Sequence, residues 1–341
     1  MRRLPAAAAV AAALVLAGCG TTEHADSGSP SPATSASGSG ADAVSGSATP
    51  AGPVSITDAT GAPVRLDHPA TRVVATEWNA VEDLITLGVA PVGVADLKGY
   101  KAWDTAAPLT NSPKDVGTRA EPSTDTIAAL IPDLVVATTD LSPSVVKQLR
   151  KVSTVLVIRP ADGADQVGMM MKDLDLIAQA TGTTAKAGTA RQAFEAKVAA
   201  GRKSIEDAGL GGKEIAFADS YVVSNQVSIR PYTGNTLIGA VNTQLGLKNA
   251  WKVKGDKDYG LATTDVEGLT GLGADVRFAY IQNGSDGGDP FTRDLAKNAV
   301  WKSLPFVKAG QVHRLPDGIW MFGGPASMGA YVDAVVAALA K

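Results

Sequence analysis

The sequence predicts an α/β protein in which two doubly wound lobes flank one long helix. From residue 54 onward, short β-branched runs alternate with stretches of helical periodicity, which is typical of parallel sheets covered on both faces. One long helical pattern near the middle of the chain separates two such sets of strands and helices. A chain of 341 residues is long enough for two domains of ordinary size.

The N-terminus predicts export and a lipid anchor. Arg2 and Arg3 precede an apolar run over 6–16 that is too short to cross a bilayer as a stable helix. The Leu-Ala-Gly-Cys that ends at Cys19 resembles the lipobox of bacterial lipoproteins, which implies cleavage before Cys19 and a diacylglycerol on its sulfur. The alternative is a plain secretory signal with an incidental cysteine. Cys19 is the only cysteine, so no intrachain disulfide can form.

Residues 20–52 are dominated by Ser, Gly, Ala, Thr and Pro, a composition that predicts a flexible tether. The predicted organisation is therefore a signal peptide over 1–18, a lipidated cysteine and disordered tether over 19–53, an N-terminal lobe over 54–183, a connecting helix over 184–209 and a C-terminal lobe over 210–341.

The net charge of −3 becomes −5 without residues 1–18, because they contain two arginines and no acid. This balance argues against a nucleic-acid-binding protein, and it means that an anionic ligand must be held by local arginines.

In the first lobe, β-branched runs predict four strands, at 72–76, 91–95, 133–137 and 154–158, and helical patterns predict helices at 81–87 and 142–151. A helical stretch over about 164–208 follows. Gly182 is expected to divide it, which leaves a long amphipathic helix over 185–207. The second lobe repeats the alternation, with strands at 214–218, 276–281 and 311–315 and helices at 236–245 and 327–340.

An internal repeat relates the two lobes. Residues 123–133 and 265–275 both begin with a helix-capping residue, carry an acid two positions later, and end with an aspartate before a strand. Ordinary capped helices would account for the acids, Asp125 and Glu267, as partners of the helix dipole. Two pseudo-equivalent lobes would account for the whole repeated unit.

Several motifs resemble the periplasmic-binding-protein family that delivers ferric siderophores, ferric citrate and cobalamin to ABC importers. They include Arg-Val-Val-Ala-Thr-Glu-Trp at 72–78, Val-Gly-Thr-Arg-Ala-Glu-Pro-Ser at 116–123 and Ile-Ala-Ala-Leu-Ile-Pro-Asp-Leu-Val-Val at 127–136. The likeness is greatest to ferric-citrate and hydroxamate-siderophore binders, spans about 54–341, and is dense only in the first lobe. It implies a helical-backbone periplasmic-binding-protein fold, in which a rigid helix joins two lobes that move little around a ligand in the cleft between them.

Three residues of the first lobe are the main candidates for ligand binding. Glu77 and Trp78 directly follow a predicted strand, and ligands of open α/β sheets bind beyond the carboxyl ends of strands. Trp78 offers a stackable face or else belongs to the core, and Glu77 either caps a helix or binds ligand hydroxyls. Arg119 suits the bidentate binding of carboxylate or hydroxamate oxygens, and the resemblance implies that it lines the cleft.

Further candidates come from loops that the sequence places near the same cleft. Tyr100 and Trp103 are expected in a loop after the strand at 91–95, and Tyr221 at the end of the strand at 214–218. Arg230 lies just before a predicted helix. The remaining candidates are Trp320 and Phe322 in a glycine-rich aromatic loop, and, less strongly, Tyr280 and Asn283.

The resemblance also implies that one acid of each lobe meets arginines of a permease subunit. The repeat assigns this role to Asp125 and Glu267, with Glu121 as a rival for the first lobe.

The predicted function is therefore capture of a ferric siderophore or ferric citrate by a monomeric lipoprotein on the outer face of the cytoplasmic membrane. The alternative is a cobalamin-binding importer component. An enzyme is disfavoured because there is no Gly-x-Ser-x-Gly motif, no P-loop and no catalytic residue set. A zinc or manganese site is disfavoured because the body contains only His68 and His313.

Overall fold

A computed structural model describes residues 52–285 and 287–340. The predicted signal peptide and the lipidation site at Cys19 lie outside these residues. So does the predicted tether, apart from residues 52 and 53.

The first lobe contains a five-stranded parallel sheet. The strands are β3 (Val73–Ala75), β4 (Gly93–Val94), β5 (Lys114–Asp115), β6 (Leu134–Thr138) and β7 (Thr154–Ile158), in the order β5-β4-β3-β6-β7. A separate antiparallel pair, β1 (Val54–Thr57) and β2 (Pro63–Leu66), precedes them. All five residues of β6 are buried, as expected for a strand covered on both faces.

Four helices connect these strands: α1 (Trp78–Thr86), α2 (Leu97–Trp103), α3 (Thr124–Ala129) and α4 (Pro143–Leu149). Side chains cap each of them, and those of Asp96, Ser123 and Ser142 accept hydrogen bonds from the first turns of α2, α3 and α4. The prediction of a loop around Tyr100 and Trp103 was wrong, because Asp96 caps a short helix there.

Along the chain, two consecutive helices separate the strands of the two sheets: α5 (Gln166–Thr181) and α6 (Thr184–Asp207). Gly182 ends α5 in the left-handed region at φ 69°, a conformation that favours glycine, so the predicted break is confirmed. The 24-residue helix α6 packs against α5 and the final helix. One cluster of buried apolar side chains continues from Leu84 through Phe194 on α6 to Phe217 and Tyr331, so the core joins both lobes.

The second lobe contains another five-stranded sheet. Its strands are β8 (Glu214–Val223), β9 (Gln226–Tyr232), β10 (Lys248–Asn249), β11 (Arg277–Tyr280) and β12 (Val312–Arg314). Strands β10-β8-β11-β12 are parallel, and β9 pairs antiparallel with β8. Strand β9 was not predicted from the sequence. A two-residue turn, Ser224 and Asn225, both with positive φ, folds it back onto β8.

The helices of this lobe are α7 (Leu237–Gln244), α8 (Pro290–Arg293), α9 (Ala299–Ser303), α10 (Pro305–Lys308) and α11 (Pro325–Leu339), with 3-10 turns at Glu267–Gly271 and Leu295–Lys297. The two repeat units share one local contact: Ser123 Oγ accepts from Thr126 N at 3.3 Å, and Asp265 Oδ1 accepts from Gly268 N at 3.2 Å. The second unit is not a capped α-helix, because it forms a 3-10 turn whose N-cap residue, Val266, makes no side-chain capping bond. Over the described residues, no helix is long and apolar enough to span a membrane.

Candidate functional site

A cleft of about 740 Å³ lies between the two sheets, a size typical of small-molecule sites. The carboxyl ends of β3, β4, β5 and β6 supply its first wall, as expected for parallel sheets. Six of the eight predicted ligand-binding residues line it together: Glu77, Trp78, Arg119, Arg230, Trp320 and Phe322.

Arg119 lies in this cleft with its guanidinium stacked on tryptophan. Its Cζ is 4.0 Å from the ring centroid of Trp78 and 5.4 Å from that of Trp320. Its Nη1 donates to Glu77 Oε1 at 2.7 Å, the only hydrogen bond of this side chain to the described residues. The other nitrogens keep their donors for a ligand, since the side chain remains about one third exposed.

Glu77 has the capping role that the sequence left open. Its Oε1 accepts from Trp78 N at 2.9 Å at the start of α1, and the same oxygen holds Arg119. A carboxylate fixed in this way orients the guanidinium before any ligand arrives.

An aromatic cluster forms the apolar surface of the cleft. Trp78 and Trp320 meet edge to face with ring centroids 4.6 Å apart, and Trp103 and Phe322 lie 6.1 and 5.1 Å from Trp320. Trp78 is only 3% exposed and its Nε1 donates to Ala95 O, so it belongs to the core as well as to the cleft wall. Such rings suit the apolar arms of a ligand.

Arg230 gives the second lobe a matching arginine, although it lies within β9 and not before a helix. Its Nε donates to Asp219 Oδ1 at 2.9 Å, and its Nη2 donates to Asp219 Oδ2. Its Cζ is 5.7 Å from the Tyr232 ring centroid and 5.6 Å from that of Phe322. Burial lowers the pKa of Arg230, but the nearby Tyr232 and Asp219 outweigh it and raise the pKa, so the guanidinium stays charged.

The remaining predicted residues lie elsewhere. Tyr100 is 1% exposed and its hydroxyl donates to Ala107 O, so it is a core residue and not a cleft wall. Tyr221 is 42% exposed inside β8 and lines a neighbouring cavity of about 530 Å³ that shares Trp103 and Arg230 with the cleft. The buried Tyr280 donates to Asp289, and Asn283 donates to Ala102 O in the other lobe.

Sequence reasoning missed Asp219, Asp140 and Tyr259. The Tyr259 hydroxyl donates to Asp140 Oδ2 at 2.5 Å, which links the two walls of the cleft. Asp140 follows the end of β6 by two residues, so the strand-end signal that identified Glu77 could have found it. Tyr259 lies in an irregular loop without such a signal.

Asp125 and Glu267, the acids predicted to dock on a permease, are both exposed. Asp125 lies in the first turn of α3, and Glu267 is the first residue of the 3-10 turn Glu267–Gly271. Neither they nor the rival Glu121 form an ion pair with another described residue. All three carboxylates are exposed to solvent.

Buried carboxyl groups join the lobes beneath the cleft. Glu82 Oε1 accepts from Ser327 N at 2.8 Å in the first turn of α11, and Asp104 Oδ1 accepts from Ser327 Oγ at 3.4 Å. Gly323 lets these segments approach, because a Cβ there would lie 2.2 Å from Glu82 Oε2. Burial, reinforced by the Glu82 carboxylate, raises the pKa of Asp104 to about 10.

Asp104→Asn is expected to flatten the pH dependence of stability. The pKa of Asp104 is raised on folding, so the unfolded chain loses this proton at a lower pH than the folded protein does. The free energy of unfolding therefore falls as pH rises from about 4 toward 10. The amide resembles the protonated acid, so the variant should unfold with a free energy about 1–3 kcal/mol higher at pH 8 and unchanged near pH 4. Urea unfolding at both pH values measures this. The exposed Asp67→Asn is the control, and an equal effect of Asp104→Asn at both pH values would contradict the prediction.

Residues 73–318 match the family model described as periplasmic binding protein. The chain belongs to this family. The family match covers most of both lobes, including every cleft residue named above except Trp320 and Phe322.

Three of its relatives are named for the iron chelates that they bind. The iron(3+)-hydroxamate-binding protein FhuD of Escherichia coli (strain K12) is 26% identical over 75% of this chain and 82% of its own length. The Fe(3+)-citrate-binding protein YfmC of Bacillus subtilis (strain 168) is 28% identical over 73% and 74%. The structure of FhuD from Vibrio cholerae bound to Fe3+-Desferal superposes with a TM-score of 0.70 at 25% identity, covering 79% of this chain and 98% of that one.

These relatives are substrate-binding proteins, and two B. subtilis relatives, YhfQ and YfiY, are named lipoproteins. Within residues 52–285 and 287–340, no three His, Cys, Asp or Glu side chains are grouped to hold a metal ion.

Proposed function

We propose that this protein captures a ferric siderophore or ferric citrate outside the cytoplasmic membrane and delivers the chelate to an ABC importer. One observation carries the proposal: two arginines from opposite lobes, Arg119 and Arg230, are stacked on aromatic rings in a single cleft. Ferric chelates present anionic oxygens around the metal and apolar arms outside it. Guanidinium donors beside aromatic faces match both features.

The iron is cargo, held by the chelator and not by protein ligands. The arginines and aromatic rings of the cleft support this role, because donors and rings recognise the outside of a chelate. The hydroxamate- and citrate-binding relatives support the same ligand class. The family of the chain and its chelate-binding relatives support a binding role in transport.

The delivery role includes three further proposals. Diacylglycerol on Cys19 would hold the protein at the outer face of the membrane, and the segment up to residue 53 would act as the tether. Asp125 and Glu267 would each meet a basic residue of one permease subunit. The protein would act as a monomer, with one lobe on each subunit.

Ferric chelates are expected to quench the intrinsic fluorescence of the protein with a Kd below about 1 μM. Three of its five tryptophans, Trp78, Trp103 and Trp320, line the cleft, so a coloured chelate bound there lies beside them. A titration panel of ferric hydroxamates, catecholates and citrate, with cobalamin in parallel, measures the affinities. If the protein binds cobalamin and none of the ferric chelates, the proposal is replaced by its alternative, a cobalamin-binding importer component.

A further inference from the structure

The two arginines of the cleft do not bring uncompensated positive charge to it. Arg119 is paired with Glu77 at 2.7 Å, and the side chain of Glu77 is only 17% exposed. The pair is fixed at both ends, because Glu77 also caps α1 and the guanidinium is stacked on Trp78. The charge of Arg119 is therefore compensated before a ligand binds, by a carboxylate that is held in place.

Arg230 is neutralised more completely. Asp219 binds it through both oxygens from the opposite position of the β8–β9 pair, and the side chain of Asp219 is 6% exposed. The Tyr232 hydroxyl also donates to Asp219 Oδ2 at 3.1 Å, which locks the carboxylate in place. Such a bidentate, shielded ion pair is held more firmly than a surface pair.

The other charges of the cleft balance as well. Among the described lining residues, three bases face three acids: Lys98, Arg119 and Arg230, with Glu77, Asp96 and Asp140. Asp219 adds a further negative charge behind Arg230. The cleft thus offers hydrogen-bond donors, including the unengaged nitrogens of Arg119, without a net positive potential.

The charge of a ferric chelate depends on its donor groups. Three hydroxamates, each carrying one negative charge, neutralise Fe3+, whereas three catecholates, each carrying two, leave a trianion, and ferric citrate complexes are also anionic. A neutral complex still presents polarised oxygens to a guanidinium. A trianion must lose hydration in a cleft whose own charges give no compensating attraction.

We infer that Glu77 and Asp219 are specificity-determining residues that make this cleft favour uncharged ferric trihydroxamates over anionic chelates. The inference rests on the proposed function and narrows its ligand class. Both carboxylates act through the arginines they hold, as positioning and charge-compensating groups.

The test compares ferrichrome, a neutral trihydroxamate, with ferric citrate and ferric enterobactin, a tricatecholate, by fluorescence titration at one ionic strength. The wild-type protein is expected to bind ferrichrome at least about tenfold more tightly than either anionic chelate. Glu77→Gln and Asp219→Asn should each improve binding of ferric enterobactin about tenfold, as one charge acting on a trianion across a hydrated cleft would. Their affinity for ferrichrome should gain less than their affinity for ferric enterobactin, because a neutral chelate gains little from the removal of one negative charge. Glu77→Gln keeps an acceptor oxygen for Arg119, whereas Asp219→Asn keeps only one of the two that hold Arg230.

Glu195→Gln, on the exposed face of α6 and outside the cleft, removes the same charge and should alter neither affinity. Glu77→Gln keeps the test decisive if the buried Asp219→Asn fails to fold. The inference alone would be overturned if the wild-type protein bound ferric enterobactin or ferric citrate as tightly as ferrichrome. It would also be overturned if the carboxylate variants gained affinity equally for all three chelates. Failure of all three to bind would overturn the proposed function together with the inference.

Discussion

Replacement of both docking carboxylates, in the Asp125→Ala/Glu267→Ala variant, is expected to reduce uptake of the ferric chelate to the level seen without the protein. Both side chains are exposed and lack an ion-pair partner among the described residues. An exposed ion pair is worth little by itself, but two pairs on separate lobes can steer and orient docking on two permease subunits. Chelate affinity should remain unchanged, because neither residue lines the cleft.

Uptake of radioactive iron by cells that depend on this protein measures the first effect, and fluorescence titration the second. The Asp67→Ala/Glu195→Ala variant removes the same charge from exposed positions and should transport normally. A Glu121→Ala/Glu267→Ala variant distinguishes the rival acid of the first lobe. Normal uptake by the Asp125 and Glu267 double variant would refute the assignment of docking to this pair.

Arg119→Ala is expected to weaken chelate binding by about 1–3 kcal/mol, the usual loss for a charged hydrogen bond. The change removes the donors that face the cleft and the cation stacked on Trp78, and it leaves Glu77 without its partner. By the same energies, the Kd rises about 5- to 150-fold. Arg119→Lys keeps the charge but loses the planar fork, so its loss should be intermediate.

Titration of the variants against ferrichrome gives these affinities, and thermal unfolding shows whether the fold is intact. Arg202→Ala is the matched control, because Arg202 is exposed on α6 and pairs only with Glu206 among the described residues. An unchanged Kd for Arg119→Ala would make Arg119 a solvated loop charge.

Strand ends in the sequence were sufficient to predict part of the first wall of the cleft. Glu77 and Trp78 follow the predicted strand at 72–76, which is β3, and parallel strands bring such positions to one edge. Arg119 was expected there from the family resemblance, because the short strand β5 that precedes it was not predicted. The helix break at Gly182 was equally predictable, because a left-handed residue ends α5. These features depend on local pattern and on the general geometry of α/β sheets.

The second wall was harder to predict because it depends on pairing between distant residues. The hairpin of β8 and β9 places Asp219 opposite Arg230, and no periodicity in the sequence predicts that register. Tyr100 was misassigned because its aromatic ring suits a wall and a core equally well, and only the fold shows it buried against Ala107. The charge compensation by Glu77 likewise depends on a contact across 42 residues.

The central claim is that a ferric chelate binds between the two arginine–aromatic walls. Anomalous X-ray diffraction at the iron edge, from crystals of the protein with ferrichrome, tests it most directly. The account predicts one iron peak in the cleft, bordered by Arg119 and Trp78 on one side and by Arg230 and Phe322 on the other. A peak outside this cleft, or none at saturating ferrichrome, ferric citrate and ferric enterobactin, would contradict it.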